Sequence, residues 1–296
     1  MSNQFRQKKE DQHFRVTKSV ELMSFLTEVL PGKNRNNIKT MLRENQILVN
    51  GISESQFNRP LAAGNEVTVK AYRGGEEKSL RGITILYKDN DLIAIDKHAG
   101  ILSVPDKNGR QQTALGILIK HVKFENRSNV VYPIQRLERE SSGVMLFARS
   151  EKIQGLFQKK WNDLVKDRVY LAVVEGEIEN DEGTISSFIR DDSGYRVGSS
   201  QDRLKGDFAE TSYRVIRRSR LFTMLEIRIK QGKRDQIRVH MAESGHPVIG
   251  DKKYGSDLNP SDRLGLHAWK LEVIHPLTGE NIRIESPIPR KLSRLF

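Results

Sequence analysis

Apolar residues first recur at a regular interval after residue 19, and the interval is that of a helix. The apolar positions lie three or four residues apart and are Leu22, Phe25, Leu26, Val29 and Leu30. This spacing predicts an amphipathic helix that Ser19 caps and that Pro31 and Gly32 end. Residues 1–13, MSNQFRQKKEDQH, contain no apolar run and are interpreted as a polar leader.

A second, shorter helix is predicted near residues 35–44. Its apolar residues share one face, since positions three and four apart are neighbours on a helix, and they are Ile38, Met41 and Leu42. Three basic residues spaced by four positions line another face: Arg35, Lys39 and Arg43. This basic stripe could grip phosphate groups, although the pattern taken alone favours a solvated surface face.

Short strands follow the two helices. Apolar residues at 47–49 precede the turn pair Asn50-Gly51, and a later alternation at 67–69 reads as a second strand. Two short helices and hairpin-like strands indicate a small domain over residues 14–71.

The next segment, RGGEEKS from Arg73, is polar and contains glycine, which predicts a linker over residues 72–82. Beyond it, short apolar runs alternate with turns, at residues 83–87, 92–96, 144–148, 170–174, 222–229 and 271–274. Two segments between these runs are predicted as helices, residues 111–121 and 153–164. The pattern indicates a mixed α/β sheet domain over residues 83–296.

Composition narrows the class of protein. Lysine and arginine total 50 against 38 aspartate and glutamate, a net charge of +12, which favours a polyanionic partner, nucleic acid first, but also fits a merely soluble basic protein. The chain has no cysteine, which excludes disulfides, thiolate metal sites and cysteine nucleophiles. We find no secretory signal and no long uncharged apolar stretch, so we expect a cytoplasmic protein that does not bind membranes.

The most informative stretch is PIQRLERESSGVMLFARS, residues 133–150, which joins a charged loop to an apolar run. The loop resembles the signature of the RluA-type pseudouridine synthases: His-Arg-Leu-Asp, two further residues and Thr-Ser-Gly. Gln135 stands at the family's histidine position, and Glu138 stands at the position of its catalytic aspartate. Without the resemblance, the same charges read as a solvated cluster with local ion pairs.

Four further segments resemble the same family: residues 86–100, 166–176, 231–251 and 264–289. Residues 14–71 are similar to the small RNA-binding domain of ribosomal protein S-four. The resemblance implies an α+β fold, in which a small N-terminal RNA-binding domain precedes a large catalytic domain with a mixed, mostly antiparallel sheet.

The resemblance also implies a role for individual residues. Glu138 would be the catalytic carboxylate, Arg238 its charge partner and Tyr170 the ring that stacks on the target uracil. Arg136 would fill the space that the flipped base vacates, and the basic stripe would contact RNA. The implied substrate is ribosomal or transfer RNA, without cofactor or metal, and a monomer is assumed.

Other classes of function remain as alternatives. The altered Gln135 and Glu138 positions fit a catalytically impaired homologue that acts as an RNA-binding or ribosome-assembly protein. A DNA-binding regulator would explain the charge, but no recognition helix is evident. The histidines at 240, 246, 267 and 275 lack metal-site spacing. Residues 141–143, Ser-Ser-Gly, read as a loop-to-strand turn and not as a nucleophile elbow.

Overall fold

A computed structural model describes residues 11–43, 46–69, 80–106, 109, 111–190 and 196–296. The chain forms two compact units, residues 1–78 and 79–296. Most of the predicted leader and linker lies outside the described residues. Residues 80–82, which the sequence assigns to the linker, lie in the second unit, where Leu80 bridges to Ile83.

The first unit consists of two helices and two small antiparallel sheets. Its elements are β1 (Gln12–Arg15), β2 (Val20–Glu21), α1 (Leu22–Val29), α2 (Arg35–Arg43), β3 (Ile47–Val49), β4 (Ile52–Ser53), β5 (Pro60–Leu61) and β6 (Glu66–Val69). The strand orders are β1-β6-β3-β4 and β2-β5. Strand β1 begins inside the segment interpreted as a polar leader.

The apolar faces of both helices pack on these strands. Leu26 of α1 and Ile38 of α2 are fully buried against Ile47 and Val67. Burial of this one-sided apolar surface accounts for both predicted helices, because helices this short are marginal without packing. Asn50 and Gly51 both have positive φ, as a two-residue hairpin turn requires.

The predicted Ser19 cap is wrong. Helix α1 starts at Leu22, and its N-cap Glu21 is extended and makes no side-chain capping bond. Strand β2 pairs with β5, which keeps the backbone before the helix extended. The Ser19 hydroxyl therefore lies beside β5 and donates to the Leu61 carbonyl at 3.2 Å.

The second unit is built on one large sheet. Its elements are β7 (Ile83–Lys88), β8 (Leu92–Lys97), α3 (Ala114–Glu125), β9 (Tyr132–Pro133), β10 (Ser142–Ala148), α4 (Glu151–Lys159), α5 (Trp161–Leu164), β11 (Val165–Glu175), β12 (Glu182–Arg190), β13 (Gly198–Ser200), a 3₁₀ turn (Arg203–Lys205), β14 (Asp207–Arg218), β15 (Phe222–Ile229), α6 (Gln236–Glu243), β16 (Leu266–Ile274), β17 (Asn281–Glu285) and α7 (Arg290–Ser293). The strand order is β13-β12-β14-β15-β11-β16-β10-β8-β7, with β17 on β16 and β9 on β10.

Strand β16 lies in the middle of this sheet. It runs antiparallel to β11 and parallel to β10, where Gly143 lies opposite Ala268. The other strand pairs in the described part of this sheet are antiparallel. Helices and apolar cores cover both faces. The predicted α+β class with a mixed, mostly antiparallel sheet is confirmed.

The two helices predicted in this unit have different bounds. Helix α3 starts later than residue 111, because Thr113 is extended and its hydroxyl accepts the Gly116 N–H as an N-cap. The segment 153–164 forms two helices, since Lys160 leaves helical geometry between α4 and α5. None of the helices in the described ranges is long and apolar enough to span a membrane.

Candidate active site

A cavity of about 490 Å³ lies between the loop before β10, strand β11 and the start of α6. All four residues to which the sequence assigns a role at the reaction centre line it: Arg136, Glu138, Tyr170 and Arg238. They come from elements far apart in sequence. The fold therefore brings the predicted set to one place.

Buried contacts fix the loop that carries Glu138. Leu137 is buried in the core beneath α3, and its N–H donates to the Ser103 hydroxyl at 3.0 Å. The Gln135 side-chain amide donates to the Val144 carbonyl at 3.2 Å. Because Leu137 points inward, its neighbour Glu138 faces the cavity.

The far end of the loop is held by a buried lysine. The Lys97 ammonium donates to the carbonyls of His98, Ile101 and Arg139 at 3.0, 2.8 and 3.1 Å. Burial lowers the pKa of Lys97 to about 7. Three acceptors around one nitrogen match the three donors of the protonated form, so the hydrogen bonds oppose the effect of burial.

Glu138 makes a direct ion pair with Arg238, from Oε2 to Nη1. The Arg238 side chain is 11% exposed and that of Glu138 is 32% exposed, so the pair faces the cavity from a largely buried arginine. The added methylene of glutamate does not prevent the contact that the resemblance implies.

Arg238 is oriented by a second carboxylate. Its Nε and Nη2 donate to the two oxygens of Asp251, both at 2.7 Å, and the Asp251 side chain is fully buried. Such a two-point contact fixes the plane of the guanidinium group. The Tyr254 ring lies 5.1 Å from the guanidinium carbon. Nη1 is the nitrogen that points toward Glu138.

Asp235 completes this charged group. It is the N-cap of α6 and has left-handed backbone geometry, with φ 55°. One oxygen lies 2.9 Å from Arg238 Nη1. The other accepts the Tyr254 hydroxyl at 2.8 Å and contacts the Lys253 ammonium.

These neighbours act on the carboxyl groups in opposite directions. Burial and the nearby Asp235 raise the pKa of Glu138, and the Arg238 guanidinium opposes them. Burial raises the pKa of Asp235, but interactions with Glu138, Lys253 and Tyr254 outweigh it and lower that pKa to about 2. Arg238 carries its charge throughout, since Asp251 and the other carboxylates raise its pKa further.

Tyr170 occupies the wall of the cavity on β11, where burial raises the pKa of its hydroxyl. Two positions earlier, Arg168 is largely buried, lies over the Trp161 ring at 5.3 Å and donates to the Lys230 carbonyl. A Cβ on Gly232 would lie 2.6 Å from Arg168 Nη1, so a larger residue there would displace the end of the arginine side chain. Arg168 thus ties β11 to the segment that leads into α6.

The other predicted RNA contacts lie on the molecular surface. Arg136 is exposed at the mouth of the cavity, and Arg35 and Lys39 are exposed on α2 of the first unit. Lys39 lies over the exposed Phe57 ring at 5.0 Å. Arg43 ends α2, and its side chain lies outside the described part of the chain.

Sequence reasoning assigned no role to Asp235, Asp251 or Lys253. Asp235 caps a short helix that no apolar pattern predicts. Asp251 and Lys253 lie in the turns that follow this helix. The segment containing Asp251 was noted for its resemblance, which was the only available signal.

Ser142 is not placed as a nucleophile. Its hydroxyl is buried, lies 2.7 Å from His267 Nδ1 and accepts from Arg263 Nη2 at 2.8 Å. It therefore belongs to the packing behind the loop, in keeping with the predicted turn.

Among the described residues, one group has metal-ligand spacing: Asp89, Asp91 and His275. His275 Nδ1 accepts the N–H groups of Leu277 and Thr278 at 3.3 and 3.1 Å. In the neutral ring the proton then sits on Nε2, facing both carboxylates. Neither nitrogen offers a lone pair to a metal in that tautomer.

Comparison with known proteins agrees with this geometry. A family model described as RNA pseudouridylate synthase matches residues 91–243. An uncharacterized RNA pseudouridine synthase of Bacillus subtilis, YhcT, is 31% identical over 218 residues, covering 72% of this chain and 71% of its own. The ribosomal large subunit pseudouridine synthase D of Xanthomonas campestris is 30% identical over 298 residues, covering 92% and 86%.

A solved structure, human RNA pseudouridylate synthase domain containing 4, matches with a TM-score of 0.60 and 22% identity, covering 73% of this chain and 92% of its own. At that identity the match shows the fold alone. The sheet and the family match together define an RNA-modifying isomerase. The chain belongs to the RNA pseudouridylate synthase family.

Proposed function

We propose that the protein isomerises uridine to pseudouridine in ribosomal or transfer RNA of the cytoplasm, with Glu138 as the catalytic carboxylate. The observation that carries the proposal is the ion pair between Glu138 and Arg238 in a cavity that Tyr170 also lines. The names of relatives such as the Xanthomonas enzyme support ribosomal RNA as a substrate.

The reaction breaks the bond between uracil N1 and C1 of the ribose, turns the base and joins C1 to C5; C5 loses its hydrogen as a proton, and the released N1 takes up a proton. Glu138 would attack the ribose or accept a proton from it, and both roles demand close placement. Arg238 would hold the carboxylate in place, and Asp251 would fix the orientation of Arg238.

The target base must leave its stack before it can reach a carboxylate. Tyr170 offers a ring at the wall of the cavity on which a flipped uracil could stack. The exposed Arg136 at the mouth would fill the gap left in the RNA. We assign both roles as part of the proposal.

The first unit would supply further phosphate contacts. Arg35 and Lys39 lie exposed on one helix, and Arg43 follows at the same spacing. Contacts of this kind raise affinity without choosing a sequence, and they weaken as salt displaces them. They support a protein that binds structured RNA at more than one point.

The deciding measurement is tritium release from RNA transcribed with 5-tritiated uridine, with ribosomal and transfer RNA tested separately. We expect release by the native protein and none by Glu138→Ala, with RNA binding retained by both. An absence of release by native protein that still binds RNA would contradict the proposal and favour the impaired homologue. Glu140→Ala, an exposed neighbour on the same loop, is the matched control and should remain active.

A further inference from the structure

Two carboxyl groups converge on one nitrogen of Arg238. Nη1 contacts a carboxylate oxygen of Glu138 and lies 2.9 Å from one of Asp235, so the two carboxyl groups approach each other at this nitrogen. Two ionised carboxylates repel at such separations, whereas a carboxyl and a carboxylate can share a proton. The contact therefore favours one proton for the pair.

The cations in this group do not neutralise every carboxylate. Arg238 gives two donors to Asp251 and one nitrogen to the pair, and the Lys253 ammonium contacts Asp235. Within this group of described residues, three carboxylates thus face two cations. Asp251 and Asp235 are the better satisfied, so Glu138, which is also the most exposed of the three, is the group best able to carry the proton.

The other polar groups around Glu138 and Asp235 do not offset the excess of carboxylates over cations. Tyr254 donates to Asp235 and keeps negative charge there. Among the described residues, the other titratable or charged groups facing the site are Tyr170 and Arg168 of β11, Lys97 below the loop, Lys233 on the cavity wall and the exposed Arg136 at the cavity mouth. Arg168 and Lys97 are committed to carbonyl groups, and Lys233 pairs with Asp207 at 2.7 Å.

We propose that Asp235 is a positioning residue of this site, which shares one proton with Glu138 and makes the Glu138 carboxylate a stronger base and nucleophile than an ordinary glutamate. The inference rests on the proposed catalytic role of Glu138. Held between Asp235 and Arg238, the longer side chain of glutamate has a defined position. The raised pKa of Glu138 and the lowered pKa of Asp235 point in the same direction.

The direct test is a ¹³C NMR titration of the folded protein labelled at the glutamate carboxyl carbon, with the Glu138 signal assigned by its loss in Glu138→Gln. We expect its midpoint to lie above the ordinary glutamate value and to fall by at least one pH unit in Asp235→Asn. Asparagine tolerates left-handed backbone geometry, so this change alters charge with little strain. Lys253→Met removes the cation from Asp235 and should move the midpoint the other way.

Opposite shifts in the two variants are a signature that a purely structural role for Asp235 would not give. An unchanged midpoint in both, or an ordinary midpoint in the native protein, would overturn the proposal. Asp181→Asn, an exposed carboxylate paired with Arg218, is the control and should leave the midpoint unchanged. If Asp235→Asn does not fold, Lys253→Met and Tyr254→Phe carry the test, since both should raise the midpoint.

Activity supplies the second readout. In the tritium-release assay, the rising acid limb of the pH profile should move to lower pH in Asp235→Asn and stay in place in Asp181→Asn. If the native protein releases no tritium, the proposed function fails, and the titration still decides whether the proton is shared. If release occurs but the limb does not move, the shared proton is refuted while the proposed function stands.

Discussion

Arg238 meets Asp251 through two parallel hydrogen bonds, each 2.7 Å long, at a carboxylate that is fully buried. Lysine keeps the charge but cannot make this planar two-point contact. We expect Arg238→Lys to reduce tritium release on the order of a hundredfold, because the partner of Glu138 loses its orientation. Thermal and denaturant unfolding should also show a loss of about 3 kcal/mol, as for a broken buried ion pair.

The matched control for this change is Arg283→Lys. Arg283 lies exposed on β17, where its Nε pairs with Glu272 at 3.2 Å. Surface ion pairs contribute little, so both the rate and the stability should remain near the native values. Equal losses in the two variants would refute the orienting role of Asp251.

Glu138→Asp tests whether the site is adapted to glutamate. Removing one methylene withdraws the carboxylate by roughly 1 to 1.5 Å if the backbone stays in place. Arg238 is anchored to Asp251 and cannot follow, so we expect the rate to fall on the order of a hundredfold. A rate equal to or above that of the native protein would instead indicate a site that has decayed from aspartate.

Lys97→Met should loosen the loop that carries Glu138. The change removes the Lys97 donor from the carbonyls of His98 and Ile101, whereas the Arg139 carbonyl keeps its bond from the Gly100 N–H. Buried groups of this kind cost about 1–3 kcal/mol when unsatisfied, and denaturant unfolding should show a loss in that range together with weaker tritium release. Lys88→Met removes only a partly exposed pair with Glu125 and should change stability by less than about 1 kcal/mol.

Gly143→Ala should disrupt the junction of β10 and β16. A Cβ at this position would lie 2.1 Å from the Ala268 carbonyl oxygen, and φ is +114°. We expect a loss of about 3 kcal/mol in the free energy of unfolding from strain and overlap. Gly155→Ala, in helix α4 with no atom within 4 Å of its Cβ, should instead stabilise by about 0.5–1 kcal/mol.

The basic stripe predicts a salt effect. Replacing Arg35 and Lys39 by glutamine should weaken RNA binding and reduce the slope of log K against log salt by about 1 for each phosphate that is no longer neutralised. Filter-binding titrations at several salt concentrations measure the slope. Lys18→Gln, an exposed change in the same unit, is the control. An unchanged slope in the double variant would show that Arg35 and Lys39 do not contact RNA phosphates and only form a solvated surface.

The elements that the sequence predicted best are those whose burial shows as an apolar run. Strand β15 has the predicted bounds, residues 222–229, because six of its eight residues are buried. Strand β12 was missed, since TISSFIR alternates small polar residues with apolar ones and buries only part of one face. Strand β14 was missed for the same reason, because most of its residues are exposed or half-buried.

Some parts of the candidate site could be predicted from the sequence, and others could not. The roles proposed for Glu138, Tyr170 and Arg238 came from a resemblance, and periodicity gave no hint of them. The contacts around Asp235 depend on a left-handed residue that starts a helix and on a turn sixteen residues later that supplies Asp251. These contacts depend on how distant segments pack in three dimensions, so no local sequence pattern predicts them.

The place of β16 between β10 and β11 has a consequence for synthesis on the ribosome. Strands that precede it in the chain form two separate halves of the sheet, and Glu138 and Arg238 belong to different halves. Contacts such as that of Ser142 with His267 span 125 residues, and contacts this distant in sequence form slowly during folding. A nascent chain that has not yet released residues 266–274 from the exit tunnel therefore lacks the strand that joins the half carrying Glu138 to the half carrying Arg238.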